Sequence, residues 1–138
     1  MKVLFMCTAN SCRSQMAEAW ARRLFPAGWE AASAGLVTYP ITDRTLAAMA
    51  EAGVTMDGQF SKPFDGFDLD DFDLVVTLSR ESGRFLPRLA RPERHWRRPI
   101  VDPMGLQGDD EELRAAFGRA RDEIRGIVLE ARTALGGD

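Results

Sequence analysis

Residues 1–24, MKVLFMCTANSCRSQMAEAWARRL, change their hydrophobic period once, and that change limits the folds open to the chain. Val3, Leu4 and Phe5 make an apolar run between Lys2 and Met6, the pattern of a strand buried on both faces. Beyond Asn10 and Ser11 the apolar residues return as Met16, Trp20 and Leu24, with Ala17 and Ala21 beside them. That spacing predicts an amphipathic helix ending near Pro26-Ala27-Gly28. Strand and helix are joined by a short polar loop, CTANSCRS, with a cysteine at one end and an arginine at the other.

The alternation continues downstream. Trp29 to Ala34 reads as a second strand, poor in β-branched side chains, and Gly35 turns the chain. Thr42 is placed to cap a helix that carries Leu46, Met49 and Ala50 inward and stops at Gly53. Gln59 to Asp71, with Pro63, Gly66 and several aspartates, predicts a loop packed down by Phe60, Phe64 and Phe67. Asp73 to Leu78, DLVVTL, is the clearest strand. Arg80 to Leu89 predicts a short helix broken at Pro87, and Arg91 to Arg98 a basic connection. Ile100-Val101 reads as a short final strand closed by Asp102-Pro103. From Asp109 the helical period returns through Leu113, Phe117, Ala120, Ile124, Val128 and Leu135, with Asp109 and Glu112 as a capping box. These elements predict one α/β domain over residues 1–138, a parallel sheet with helices on both faces and right-handed crossovers. Such sheets hold ligands at the carboxyl ends of their strands, where strand order reverses, and Cys7, Ser33, Ser79 and Asp102 fall there.

With 138 residues the chain can bury an ordinary core without staples. Its net charge of -3 is spread over interspersed acidic and basic side chains, which argues against nucleic acid as a partner. The apolar run before Cys7 is too short for a signal peptide or a membrane span, so a cytoplasmic protein is expected, with no membrane partner and as a monomer. Thiols there are normally reduced, so Cys7 and Cys12 are read for reactivity rather than as a disulfide framework. His95 is the only histidine, and no metal site is expected.

A loop from Cys7 to Arg13 that joins a strand to a helix N-terminus turns successive amides inward as an anion-binding nest, and the helix adds its partial positive charge. Thr8, Ala9, Asn10, Ser11, Cys12, Arg13 and Ser14 are therefore the candidate oxyanion-binding residues. The same field, with a hydrogen bond from Ser14, favours the thiolate of Cys7 and makes it a nucleophile. Arg13 offers a planar fork for two oxygens of phosphate or arsenate, and Asn10 tolerates the left-handed backbone a tight loop needs. The plain alternatives are a Cys7 that packs as a small hydrophobe and an Arg13 that is merely solvated, but an unpaired cation at a helix N-terminus opposes the helix dipole.

The Cys-x5-Arg-Ser element at the N-terminus resembles the low-molecular-weight protein tyrosine phosphatase superfamily, which includes thiol-dependent arsenate reductases, and the resemblance runs over nearly the whole chain. Gln15 in CRSQMAE, the short segment from Ser33 to Gly53, His95-Trp96 and Phe117 before RARDEI resemble the reductase branch. The resemblance implies a four-stranded parallel sheet in a flavodoxin-like arrangement. It also implies Cys7 as nucleophile, Arg13 as oxyanion clamp, Asn10 and Ser14 as loop organisers and Asp102 as general acid. A carboxyl group beside a bound oxyanion keeps its proton and can hand it to a departing oxygen; a plain Asp-Pro turn is the alternative. Asp102 would have to lean back over the loop, since its strand is expected two places, on the order of 10 Å, from the first.

The chain departs from that pattern in its thiols. Thioredoxin-coupled arsenate reductases relay through two further cysteines, and the matching positions here are Ser79 in Thr77-Leu78-Ser79 and Leu86 before Pro87. A hydroxyl cannot form a disulfide, so reduction needs either an external thiol such as glutathione or mycothiol, with a glutaredoxin-like or thioredoxin-like partner, or Cys12 as resolving thiol. Cys12 can equally serve protection under oxidation or simply pack. Without a relay, Cys7, Arg13 and Asp102 also suffice for a phosphatase working through a phosphocysteine, with Tyr39 as one wall for an aromatic ring. A non-catalytic anion sensor is the third possibility. Some reductases of this family bind potassium through positions matching Asn10, Glu18, Ser33 and an aspartate; Lys62 stands at the last, and its ammonium is expected to take the cation's place or to be solvated.

Overall fold

The computed structural model describes residues 1–138. Four parallel strands, β1 (Lys2–Cys7), β2 (Glu30–Gly35), β3 (Leu74–Thr77) and β4 (His95–Arg97), lie in the order β2-β1-β3-β4. They alternate with helices α1 (Arg13–Leu24), α2 (Asp43–Glu51), α3 (Arg80–Phe85) and α4 (Asp110–Ala134). Strand order reverses between β2 and β3, so the carboxyl end of β1 opens into the crevice where such sheets hold their ligands.

Side chains of β1 alternate between two cores. Val3, Phe5 and Cys7 join the larger one with Met16, Trp20, Met49, Phe117, Ile124 and Val128, whereas Leu4 and Met6 face Val75, Phe72, Leu86 and Leu89. The longer helices α1, α2 and α4 thus cover one face. The other is closed by the segment after α3 and by Phe64, Phe67 and Leu69. Helix α1 is buried from Arg13 to Ala21, its alanines admitting close neighbours, and Trp20 Nε1 donates to the Arg121 carbonyl 3.1 Å away on α4. Asp109 and Glu112 form the expected capping box at the start of α4. No helix is long and apolar enough to cross a membrane, and no three His, Cys, Asp or Glu side chains gather as a metal-binding group.

Three expectations need correction. The last strand is His95–Arg97, paired with Val75 to Thr77, and not Ile100-Val101. Arg98 and Ile100 still donate to the Thr77 and Leu78 carbonyls, but the donors are two residues apart and the acceptors only one, so the register of a regular parallel ladder is lost around Pro99. In this edge position His95 Nε2 lies 2.9 Å from Thr77 Oγ1, and burial, reinforced by Arg97, pushes the imidazole below its ordinary pKa. Helix α2 turns Thr45, Ala48 and Met49 inward, leaving Leu46 and Ala50 exposed. The polar Thr45 takes the inward place because its hydroxyl donates to the Ser11 carbonyl at 3.3 Å. Phe64 and Phe67 pack against the second core as expected, but Phe60 is exposed, with Lys62 Nζ 4.7 Å above its ring.

Candidate active site

The loop after β1 is held from outside by its carbonyls. Val37 N–H donates to Thr8 O, Tyr39 N–H and Ser61 Oγ to Ala9 O, Gln15 Nε2 to Asn10 O, and Thr42 N–H and Thr45 Oγ1 to Ser11 O, all at 3.0 to 3.4 Å. Within a planar peptide unit the N–H points opposite to the C=O, so outward carbonyls at 8–11 turn the amides of residues 9–12 to the inside. None of the amides of residues 9–14 donates to a protein acceptor, although residues 10–14 are buried. Buried amides of this kind call for an acceptor, and an oxyanion supplies several at once.

Asn10 has φ of 51°, the single non-glycine residue in the left-handed region, as the loop's tightness predicted. Neighbouring Gly35 lets the loop close. A Cβ there would fall on Val37 O, 2.8 Å from Asn10 N and 2.9 Å from Ala9 C. It is Gly35, paired with Cys7, that ends β2 beside the loop. Ser33, expected at this edge, lies two residues back and donates instead to Glu18 Oε1 at 2.7 Å.

Cys7 Sγ sits 2.8 Å from Ser14 Oγ, which accepts from Asn10 Nδ2 at 2.7 Å. Arg13 is buried and not the free cation that its place at a helix start suggested. Its Nη1 donates to Ile100 O at 3.0 Å and Leu78 O at 3.4 Å, and Nη2 lies 3.5 Å from Asp102 Oδ2. Asp102 does lean back from beyond β4 toward the loop. Its Oδ1 accepts from Met104 N–H, so the Asp-Pro turn and the approach to Arg13 coexist. Ser79 caps α3 and accepts from Thr8 Oγ1 at 3.0 Å, tying the loop to the end of β3.

Cys12 is buried at the start of α1. Burial pushes its thiol up to about 12, with a hydrogen bond to Thr45 working the other way, so it is protonated at neutral pH. Glu18, also buried, is surrounded by Ser33, by Arg22 Nη2 at 2.5 Å and by Lys62 Nζ at 3.6 Å. Burial lowers the Lys62 pKa and the Glu18 charge opposes that shift. Asn10 Oδ1 accepts from the Lys62 backbone N–H at 2.9 Å, so the expected neighbours Asn10, Glu18, Ser33 and Lys62 do meet.

Next to the loop, a cleft of about 460 Å³ runs between Thr38–Ile41 and Gln59–Ser61, with Tyr39 and Phe60 exposed on its two sides. Sequence reasoning named Tyr39 as one wall and missed Phe60. Gln59 and Ser61 were also missed, because their partners, Gln15 in the first turn of α1 and Ala9 on the loop, lie 44 and 52 residues away in the chain.

Residues 2–130 match the family described as low molecular weight phosphotyrosine protein phosphatase. An arsenate reductase from Bacillus subtilis (strain 168) is 39% identical over 131 residues, 93% of this chain and 92% of that protein. A solved structure described as an arsenate reductase in the phosphate binding state superposes with a TM-score of 0.75 at 31% identity, covering 94% of this chain and 97% of the other. A low molecular weight protein tyrosine phosphatase from T. tengcongensis shares the fold with a TM-score of 0.80 over 97% and 99% of the two chains, at 23% identity.

Proposed function

Because the chain belongs to the low molecular weight phosphotyrosine protein phosphatase family, we propose that it is the family's arsenate-reducing kind of enzyme, working in the cytoplasm with a thiol from solution. The free amides of residues 9–14 around Cys7 and Arg13, those of the buried residues 10–14 above all, carry this reading, since they fit a tetrahedral oxyanion. Similarity to arsenate reductases at 39% identity along nearly the whole chain supports arsenic as the central atom.

In the first step the Cys7 thiolate attacks arsenate. A Cys7–S–As bond forms, an As–O bond breaks, and Asp102 protonates the departing oxygen, which leaves as water. Arg13 and the loop amides hold the remaining oxygens. A solution thiolate then attacks the Cys7 sulfur. The S–As electron pair stays on arsenic, which falls from the +5 to the +3 state and leaves as arsenite, and Cys7 is left in a mixed disulfide. A second thiol, small or on a glutaredoxin-like protein, exchanges with it and restores Cys7. Cys12 is a poor resolving thiol because its sulfur is protonated and buried, so an external donor is favoured.

One observation favours phosphomonoester hydrolysis as a second reading: Tyr39 and Phe60 flank the cleft beside the loop and suit a flat ring. The experiment gives the protein arsenate with glutathione, mycothiol or a thioredoxin system separately, and p-nitrophenyl phosphate in parallel. Arsenite is expected with a small thiol and not with thioredoxin alone, since Cys7 and Cys12 are the only cysteines in the chain. Hydrolysis with no arsenite from any donor overturns the reductase reading in favour of the second.

Lys62 fills the cation position beside Glu18, and Asn10 Oδ1 is already occupied by N–H donors. Exchanging sodium for potassium at constant ionic strength is therefore expected to leave kcat/KM unchanged. Lys62→Ala is expected to create a potassium response. Clear stimulation of the unaltered enzyme by potassium contradicts this assignment.

A further inference from the structure

A row of buried amides leads from Gln59 to the Cys7 sulfur, and its direction can be read from the backbone groups along it. Gln59 Nε2 lies 3.0 Å from the Gln15 carbonyl, which only accepts, so this nitrogen is a donor and also donates to Gln15 Oε1 at 2.8 Å. Gln15 Nε2 faces the carbonyls of Phe60 at 3.0 Å and Asn10 at 3.1 Å, which fixes that amide too, and it donates to Asn10 Oδ1 at 2.8 Å. Asn10 Oδ1 in turn accepts from the Lys62 backbone N–H, which only donates. Asn10 Nδ2 must then face Ser14 Oγ at 2.7 Å. With one lone pair of Ser14 Oγ filled by Asn10, the hydroxyl proton goes to Cys7 Sγ, at 2.8 Å, when that sulfur is a thiolate with no proton of its own to give.

We propose that Gln15 is a positioning residue for Cys7: it orders a hydrogen-bond chain, Gln59 to Gln15 to Asn10 to Ser14, whose protons all point toward the sulfur. The proposal deepens the preceding section and rests on its reading of Cys7 as the reacting thiolate. A chain with one direction polarises each member in turn and strengthens the last bond, the one to sulfur. An anionic sulfur is the better acceptor, so the chain favours the thiolate. Gln15 is fully buried and neutral, and acts through Asn10 without touching substrate. Without Gln15 the Asn10 Oδ1 keeps only the Lys62 N–H, and a rotated amide presents its oxygen to Ser14 and draws the hydroxyl proton away from sulfur.

The test measures Cys7 alkylation by iodoacetamide against pH, with peptide mass spectrometry separating Cys7 from Cys12, in the unaltered protein, Gln15→Met and Gln59→Met. In Gln15→Met the reactivity profile is expected to move to higher pH, lowering the rate at mildly acidic pH about five-fold while the alkaline plateau stays the same. Gln59→Met, one bond further away, is expected to lose about two-fold in the same direction. Gln15→Met leaves the buried Asn10 carbonyl without its donor, while the Phe60 carbonyl keeps Lys62 Nζ; if the variant fails to fold, the partly buried Gln59→Met decides. Folded variants with a lower melting temperature but an unmoved pH profile show a packing role only and overturn the inference. If Cys7 of the unaltered protein reacts as an ordinary thiol, this inference and the reading of Cys7 both fall; if it reacts fast and the variants match it, only this inference does.

Discussion

Cys7→Ser is expected to lose arsenate reduction by on the order of 10⁴-fold or more, and phosphomonoester hydrolysis with it, while the folded protein still binds phosphate. The substitution is nearly isosteric in a buried position that faces the larger core, so the sheet is retained. Arg13 and the free amides of residues 9–14, the proposed anion contacts, are untouched. What disappears is the sulfur. A serine hydroxyl stays protonated at neutral pH, and an oxygen–arsenic ester cannot pass an electron pair to arsenic by attack of a thiolate at oxygen. Assays of arsenite release and p-nitrophenyl phosphate hydrolysis check the loss, and a phosphate-induced rise in melting temperature checks that the loop still binds. Retained turnover places the reacting group elsewhere.

Gly35→Ala is the second large effect, and it acts on the loop through space. The added Cβ meets three backbone atoms, Val37 O, Asn10 N and Ala9 C, none of which can swing aside as a side-chain end does. Relief requires β2 to part from the loop or the loop to change shape, at a cost of about 3 kcal/mol, the upper range for overpacking. Movement at Asn10 N carries the inward amides with it, and the hydrogen bonds from Val37 to Thr8 O and from Tyr39 to Ala9 O lie on the same side. The variant is therefore expected to melt at clearly lower temperature and, where folded, to lose phosphate-dependent stabilisation. Thermal melts with and without phosphate measure both. A variant with unchanged melting and phosphate response contradicts the close approach of Gly35 to the loop.

Features written within a few residues of chain were legible from the sequence. The left-handed Asn10, the Ser14 contact to Cys7 and the Asp109–Glu112 box each join residues no more than seven apart. Elements set by distant partners were not. A basic, proline-flanked stretch looks like a connection, yet His95–Arg97 is a strand because β3 offers it an edge, and the register slips around Pro99 where an apolar pair seemed to begin a strand. Helix α2 is rotated from its apolar stripe because Thr45 finds the Ser11 carbonyl, a partner 34 residues away. Arg13 looked like a free cation because the carbonyls of Leu78 and Ile100 that hold it lie 65 and 87 residues away in the chain. Gln15 stood out only as a family mark; its place in a proton-ordered chain depends on Gln59, Phe60 and Lys62 folding over α1.

Cys7 is proposed to be both ionised and inside an anion-binding loop, and site-resolved alkylation of the unaltered protein at mildly acidic pH, with and without phosphate, tests the two together. Rapid modification of Cys7 that phosphate suppresses, with Cys12 silent, is the predicted result. Slow modification of Cys7, or rapid modification that phosphate leaves unchanged, contradicts it.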